Sequence, residues 1–223
     1  YNLGNAAQLL ADGQLVAFPT ETVYGLGADA LNADAVRQIY QVKGRPSDNP
    51  LIVHIGQTQQ AEELAEVTPL ARQIMRDFWP GPLTLVLPAW PGLLPPETTG
   101  GLATVGLRMP AHPAALQLLQ DSQIAVAAPS ANLSGRPSPT EAEHVWHDLQ
   151  GKIPLIINGG ECLAGLESTV LDLASPVPAI LRPGVITAAD LADLLPGLAE
   201  QTRLANGGIA KAPGMKYRHY APR

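Results

Sequence analysis

The sequence predicts an α/β protein: an open mixed sheet with helices packed on it, in one domain. Three observations carry this. Apolar runs of strand length alternate with stretches of helical periodicity along most of the chain. Several strands follow one another with only short turns, which requires antiparallel neighbours among the parallel ones. Hydrophobic residues make up 46% of 223 but aromatics only 4%, so the core is mostly Leu, Val, Ile and Ala.

The elements read in order as follows. Leu3–Ala11 is a short amphipathic helix stopped by Gly13. Leu15–Phe18 is a strand ended by Pro19, and Pro19–Gly27 is a loop. Asn32 caps a helix to about Val42, with Val36, Ile39 and Tyr40 on one face. Lys43–Pro50 is a loop, because residues preceding Pro avoid the helical region; Arg45 and Asn49 are both pushed extended. Leu51–Ile55 is a buried strand. Helical patterns at Thr58–Glu66 and Pro69–Phe78 precede a strand at Leu83–Leu87. The Pro- and Gly-rich stretch Trp90–Gly101 is a long loop. Thr104–Met109 is a strand, Pro113–Leu119 a helix and Ile124–Ala128 a buried strand. Thr140-Glu141-Ala142-Glu143 has the form of a capping box, opening a helix to about Leu149. Three short strands follow at Leu155–Ile157, Thr169–Leu173 and Ala179–Leu181. Thr187-Ala188-Ala189-Asp190 caps a last helix, and periodicity is lost from Pro196 onward. The catalytic unit is expected over residues 1–196 and a linker over 197–223.

Composition narrows the function. Charged residues are 15% of the chain, the net charge is −6, and basic residues nowhere form a run. The chain is therefore not disordered, and its surface as a whole does not favour nucleic acid. A local basic pocket remains open. The scarcity of aromatics also argues against a base-stacking platform. Cys162 stands alone, which leaves no disulfide and no cysteine metal cluster and fits the cytosol. No stretch approaches the roughly 18 apolar residues of a membrane span, and no signal segment opens the chain. The expected location is the cytoplasm, with no membrane partner.

Candidate chemistry sits at strand ends. Lys43 and Arg45, one residue apart beside a strand, suit a polyphosphate; the alternative is an exposed turn. Arg recurs close to Pro in Arg45-Pro46, Arg108-Met109-Pro110, Arg136-Pro137 and Arg182-Pro183, each at or just beyond a strand, where sheet proteins build crevices. Lys43, Arg45, Arg108 and Arg182 converging would hold a ligand with several negative charges. Alternatively, each Arg pairs with an acidic side chain. Pro129–Thr140 joins a buried strand to a helix and offers hydroxyls, an amide and backbone donors to phosphate oxygens. An ordinary turn explains Thr140 but not Ser130 or Asn132. Thr20, Thr22, Ser168 and Thr169 are hydroxyls at strand ends, commonly turn hydroxyls. Glu167-Ser168-Thr169 lacks the Gly-x-Ser-x-Gly elbow of a serine hydrolase. His144 and His147 have a spacing that could bind metal, yet exposed helix histidines are commoner, and no metal ligand is assigned. His54 lies in an apolar strand, either as a core histidine or as a ligand contact. Neither a P-loop nor a Gly-x-Gly-x-x-Gly loop occurs, so any nucleotide is held by dispersed side chains.

Taken in order, these segments resemble the YrdC-like family of threonylcarbamoyl-AMP synthases. The matching residues are Pro19–Gly27, Lys43-x-Arg45 with Asn49-Pro50-Leu51, Phe78–Thr84, Gly106–Pro110, Pro129–Asn132 with Ser134-Gly135, Ser168-Thr169-Val170 and Arg182-Pro183-Gly184. The resemblance runs from about residue 3 to 190. It implies a twisted open sheet with a concave, positively charged cavity. It also implies an enzyme, a nucleotidyltransferase converting L-threonine, hydrogencarbonate and ATP to threonylcarbamoyl-AMP and pyrophosphate. A downstream tRNA threonylcarbamoyl-transferase complex would use the product beside the anticodon. By position, Lys43 and Arg45 match the catalytic, phosphate-holding pair. Asn49, Thr104, Ser130, Asn132, Ser138 and Arg182 match the ATP site. Thr22, His54, Arg108, Ala128 and Ser168 match the threonine site, with Ala128 acting through its backbone. Mg²⁺ would arrive with ATP, since no acidic cage is visible.

The tail Pro213–Pro222 looks like the linker of the family's longer branch, which leads into a second domain; the chain stops where that domain would begin. His219 and Tyr220, polar aromatics in an otherwise featureless stretch, are expected to close over the nucleotide as a lid. Two rivals stand beside the synthase. One is another carbamoyl-adenylating enzyme. The other is a double-stranded RNA or tRNA-binding module without catalysis.

Overall fold

The computed structural model describes residues 3–200. Helix α1 (Leu3–Ala11) buries Leu3, Ala6, Ala7 and Leu10 at helical spacing. Strand β1 (Val16–Phe18) is followed by β2 (Gly25–Asp29), so the expected Pro19–Gly27 loop ends three residues early. The reason is steric. A Cβ on Gly27 would lie 2.8 Å from Phe18 Cε1, and only glycine lets this strand lie under the ring. Helix α2 (Ala33–Lys43) starts at Asn32, whose Oδ1 accepts from the backbone N–H of Asp34 and Ala35, both at 3.1 Å. It ends at Gly44 in the left-handed region, φ 61°. Lys43 is therefore the last helical residue rather than part of the loop expected for it.

Strand β3 (Ile52–His54) and helices α3 (Gln59–Leu64) and α4 (Pro69–Phe78) fall within the predicted segments, and strand β4 (Leu83–Pro88) runs one residue past its own. The Trp90–Gly101 stretch holds a short helix, α5 (Pro96–Thr99), where a plain loop was expected. Strand β5 (Thr104–Arg108), helix α6 (Pro113–Ser122), strand β6 (Val126–Ala127), helix α7 (Ala142–Leu149) and strand β7 (Leu155–Ile156) follow. The Thr140 capping box does not form. Glu141 occupies the cap position without a side-chain bond, and Thr140 Oγ1 faces His144 Nδ1 at 3.5 Å instead. Strands β8 (Thr169–Asp172), β9 (Ala179–Arg182) and β10 (Ala199–Glu200) close the described chain. The helix expected after Thr187 is absent. Thr187 and Asp190 exchange cap-like bonds at 2.8 and 3.3 Å, but the segment stays in turns. Its backbone closes through tight i to i+3 bonds, Ala192 to Ala189 and Leu194 to Leu191, which give turns rather than a continuing α-helix.

The ten strands form one sheet in the order β10-β9-β8-β4-β5-β3-β6-β2-β1-β7. The pairs β3/β5, β4/β8, β1/β7 and β9/β10 are parallel; β1/β2, β2/β6, β3/β6, β4/β5 and β8/β9 are antiparallel. Alternation along the strands sorts the faces. Val53, Leu85, Leu107 and Leu171 turn into the main core with α2 and α4. On the other face, α1 and α6 cover Val16, Phe18, Val126 and Ala128. Phe18 meets His54 edge-on, ring centroids 6.1 Å apart. Beyond that contact the helical cover stops, and a hollow opens over β3, β5 and the start of β8.

Candidate active site

The hollow, open to solvent, is lined by Thr20, Thr22, Arg45, His54, Arg108, Ala128, Ser130, Glu167, Ser168 and Arg182, among others. Chain topology explains why residues so far apart meet. Ile52 and His54 pair in register with Gly106 and Arg108. Gly25 bridges Ser130. Leu83 pairs with Thr169, which brings Ser168 to the same end of the sheet. Arg45, Arg108 and Arg182 thus line one cavity, three of the four cations of the convergent reading, while Lys43 does not line it.

The competing reading also holds, in part. Arg108 Nη2 donates to Glu21 Oε1 at 2.6 Å, Nη1 to Thr22 Oγ1 at 2.9 Å and Nε to the Gly81 carbonyl at 3.2 Å. Arg182 donates through Nε and Nη2 to the Ser168 carbonyl at 3.0 and 2.9 Å, through Nη2 to Ser168 Oγ at 3.1 Å, and through Nη1 to Glu167. Each buried guanidinium therefore lies beside a carboxylate within the same site. Arg136 pairs with Asp148 and faces elsewhere.

Lys43 stands just behind the hollow's wall. Its ammonium donates to the carbonyls of Ser130 and Asn132, both at 2.5 Å, with Asn132 Oδ1 at 3.4 Å. Burial, helped by the neighbouring Arg45 charge, pulls its pKa down to about 7. The lysine both supports the 130–132 turn and holds a charge that can be gained or lost near neutrality.

His54 is neutral. Burial and the Arg108 cation hold it down to about 3, and its Nδ1 has no hydrogen-bond partner in the described structure. Asn49 is buried nearby in sequence but does not line the hollow. Its Oδ1 is likewise unpartnered, while its carbonyl accepts from Tyr40 Oη at 3.1 Å. Asn132 and Ser138 line a second, adjoining cavity with Arg136 and His147. Ser138 Oγ reaches back to Glu167 Oε1 at 3.1 Å. Thr104 lies at the far end of β5, roughly 13 Å along the strand from Arg108, and lines neither cavity. His219 and Tyr220, with the proposed lid, lie outside the described residues.

Four site residues were not picked from the sequence as ligand contacts. Glu21 and Glu167 pair with the arginines. Thr20 Oγ1 shares a 2.8 Å bond with Thr22 Oγ1, and Thr84 Oγ1 one of 2.7 Å with Ser168 Oγ. The hydroxyl-rich flanks of Glu21 and Glu167 were the available signal. Among the described residues no cluster of three His, Cys, Asp or Glu side chains could hold a metal ion, and no helix is long and apolar enough to cross a membrane.

The fold and this cavity define a family. The chain belongs to the Sua5/YciO/YrdC family: a model described as Telomere recombination matches residues 8–184. A second, described as Threonylcarbamoyl-AMP synthase, C-terminal domain, matches residues 186–223. Among curated relatives, the chain is 53% identical to the threonylcarbamoyl-AMP synthase of Bacillus subtilis over 99% of its own length and 64% of the relative's. It is 52% identical to the threonylcarbamoyl-AMP synthase of Pyrococcus abyssi over 97% and 64%. The chain thus spans a little under two thirds of these relatives. Among solved structures, P. abyssi Sua5 complexed with L-threonine superposes with a TM-score of 0.93 at 51% identity, covering 99% of this chain and 65% of that one. Escherichia coli YciO, at 23% identity and TM-score 0.75 over 84% and 91%, shares the fold.

Proposed function

We propose that this chain carries the catalytic unit of an L-threonylcarbamoyladenylate synthase, a nucleotidyl-transferring enzyme. The supporting observation is the meeting of Arg45, Arg108 and Arg182 in one hollow, walled by Lys43, in a chain 51% identical to a Sua5 solved with L-threonine. L-Threonine and hydrogencarbonate condense to a carbamate with loss of water. A carbamate oxygen then attacks the ATP α-phosphorus, and the bond to the bridging oxygen breaks. Pyrophosphate leaves with that electron pair.

Both reactants are anions, so the protein's task is to cancel repulsion and align them. Arg108, with Thr22 and Ser168, takes the threonine carboxylate and hydroxyl. Arg45, Lys43 and Arg182 take the phosphates, with Asn49, Thr104, Ser130, Asn132 and Ser138 around the nucleotide. The neutral imidazole of His54 and the Ala128 backbone complete the amino-acid side. No general base is assigned. Mg²⁺ would come with the ATP phosphates; among the described residues, the carboxylates at Arg108 and Arg182, Glu21 and Glu167, are already paired. The proposed catalytic unit is residues 1–196, with 197–223 as a linker. The product is handed to a tRNA-modifying complex in the cytoplasm.

The test is pyrophosphate release with threonine, hydrogencarbonate and ATP, each omitted in turn. Release only when all three are present is expected. Release without threonine points to another carbamoyl-adenylating enzyme. Salt-sensitive RNA binding with no turnover points to a non-catalytic module.

A further inference from the structure

The hollow contains a contradiction for an anion-binding site: two carboxylates occupy the arginines that its ligands need. Glu167 is itself buried and lines the cavity. Its Oε1 accepts from Ser138 and its Oε2 from Arg182. Glu21 places Oε1 on Arg108 and Oε2 on the backbone N–H of Ala111 at 3.0 Å. Every nitrogen of Arg108 has a protein partner: the Gly81 carbonyl, Thr22 and Glu21. An incoming carboxylate can form a two-pronged contact there only by replacing one of them, and Glu21 is the one with its own charge to lose. On Arg182, Ser168 occupies Nε and Nη2, and Glu167 holds Nη1. Buried guanidinium groups need a counter-charge in the empty site, and the same counter-charge repels an arriving anion.

We propose that Glu21 and Glu167 are resident counter-anions, positioning residues that hold Arg108 and Arg182 in place in the empty site and yield them to ligand. Resting on the synthase reading, Glu21 gives way to the threonine carboxylate and Glu167 to the ATP phosphates. The two exchanges are separate, because Glu21 reaches Arg108 from the β1–β2 loop while Glu167 reaches Arg182 from the segment before β8. Ser138 carries the second exchange outward: when Glu167 leaves Arg182, the hydroxyl bonded to its other oxygen is freed toward the nucleotide.

The experiment is calorimetric binding of L-threonine and of a non-hydrolysable ATP analogue to the intact protein, unmodified and as Glu21→Gln and Glu167→Gln. Removing a competing charge tightens binding, whereas structural damage weakens it. Glu21→Gln should bind threonine at least about fivefold tighter with the ATP analogue unchanged, and Glu167→Gln the reverse, within the usual range of coupling between charges and ligands. Unchanged or weakened affinity for the matched ligand overturns the proposal while leaving the synthase reading intact. Unmodified protein that binds neither ligand overturns both. Should a Gln variant not fold, ¹³C NMR of glutamate carboxyl groups in the unmodified protein decides. Threonine must shift one carboxyl resonance and the ATP analogue a different one; no shift overturns the exchange.

Discussion

The ammonium of Lys43 donates to the carbonyl oxygen of Ser130 at 2.5 Å across 87 residues of sequence. It makes the same contact with the Asn132 carbonyl. The lysine proposed to hold phosphate is thereby also the tie that holds the 130–132 turn against the end of helix α2. Its neighbour Arg45 lines the hollow.

This separates the two cations experimentally. Arg45→Ala should lower pyrophosphate release at least about a hundredfold with an unchanged urea midpoint. Lys43→Met should abolish release and also destabilise the fold by about 2 kcal/mol, because two buried carbonyls lose their donor. Equal midpoints for the two variants would mean that Lys43 does not support the turn.

The lowered pKa of Lys43 sets a pH dependence. Its folded value is about 7 against an ordinary 10.5. Between those values the unfolded chain holds a proton that the folded chain has lost, so this group makes stability rise with pH across that window. Polyphosphate favours the ammonium, so ATP-analogue affinity should fall from pH 7 to 9, with proton uptake on binding at pH 8. Titration calorimetry in buffers of different ionisation heat measures that uptake.

His54 acts at the acid end. Its folded value of about 3 lies below the ordinary 6.5. Below pH 6.5 the unfolded chain binds a proton that the folded one refuses, and this contribution to stability is lost steadily down to about pH 3. Urea midpoints at pH 7 and 4.5 should differ less in His54→Gln than in the unmodified protein. NMR should find the imidazole neutral at pH 5.

Gly184 controls the site through contact alone. A Cβ there would sit 2.5 Å from the Thr169 amide nitrogen and 2.7 Å from the Glu167 carbonyl oxygen, so the backbone carrying Ser168 has to move. Gly184→Ala should destabilise the fold by about 1–3 kcal/mol and weaken threonine and nucleotide binding together. Calorimetric binding and thermal melting measure both.

Features written in neighbouring residues were legible in the sequence. Asn32 announced its helix because the cap acts within three residues, and the Leu51–Ile55 run announced β3 because a buried strand shows as uninterrupted apolar side chains. Lys43 was misplaced by one residue because the left-handed Gly44, not Pro46, ends α2. Thr140 and Thr187 carried cap-like patterns that no helix used. The arginines were legible through their Pro neighbours at strand ends. Glu21 was not: its partner Arg108 lies 87 residues away, and nothing within the Thr20–Thr22 loop indicates which cation it will meet. Thr84 was hidden for the same reason, its hydroxyl being defined only by Ser168 across two strands.

Strand order has a last consequence. β3 lies between β5 and β6, and β4 between β5 and β8, so early and late segments are shuffled together like two halves of a deck. A fragment ending near residue 100 would lack both neighbours of β3, and its complement would lack the two separate loops bearing Thr22 and Arg45. On the proposed synthase reading, neither piece alone would hold threonine or ATP, and a nick that lets the halves part should release both ligands at once.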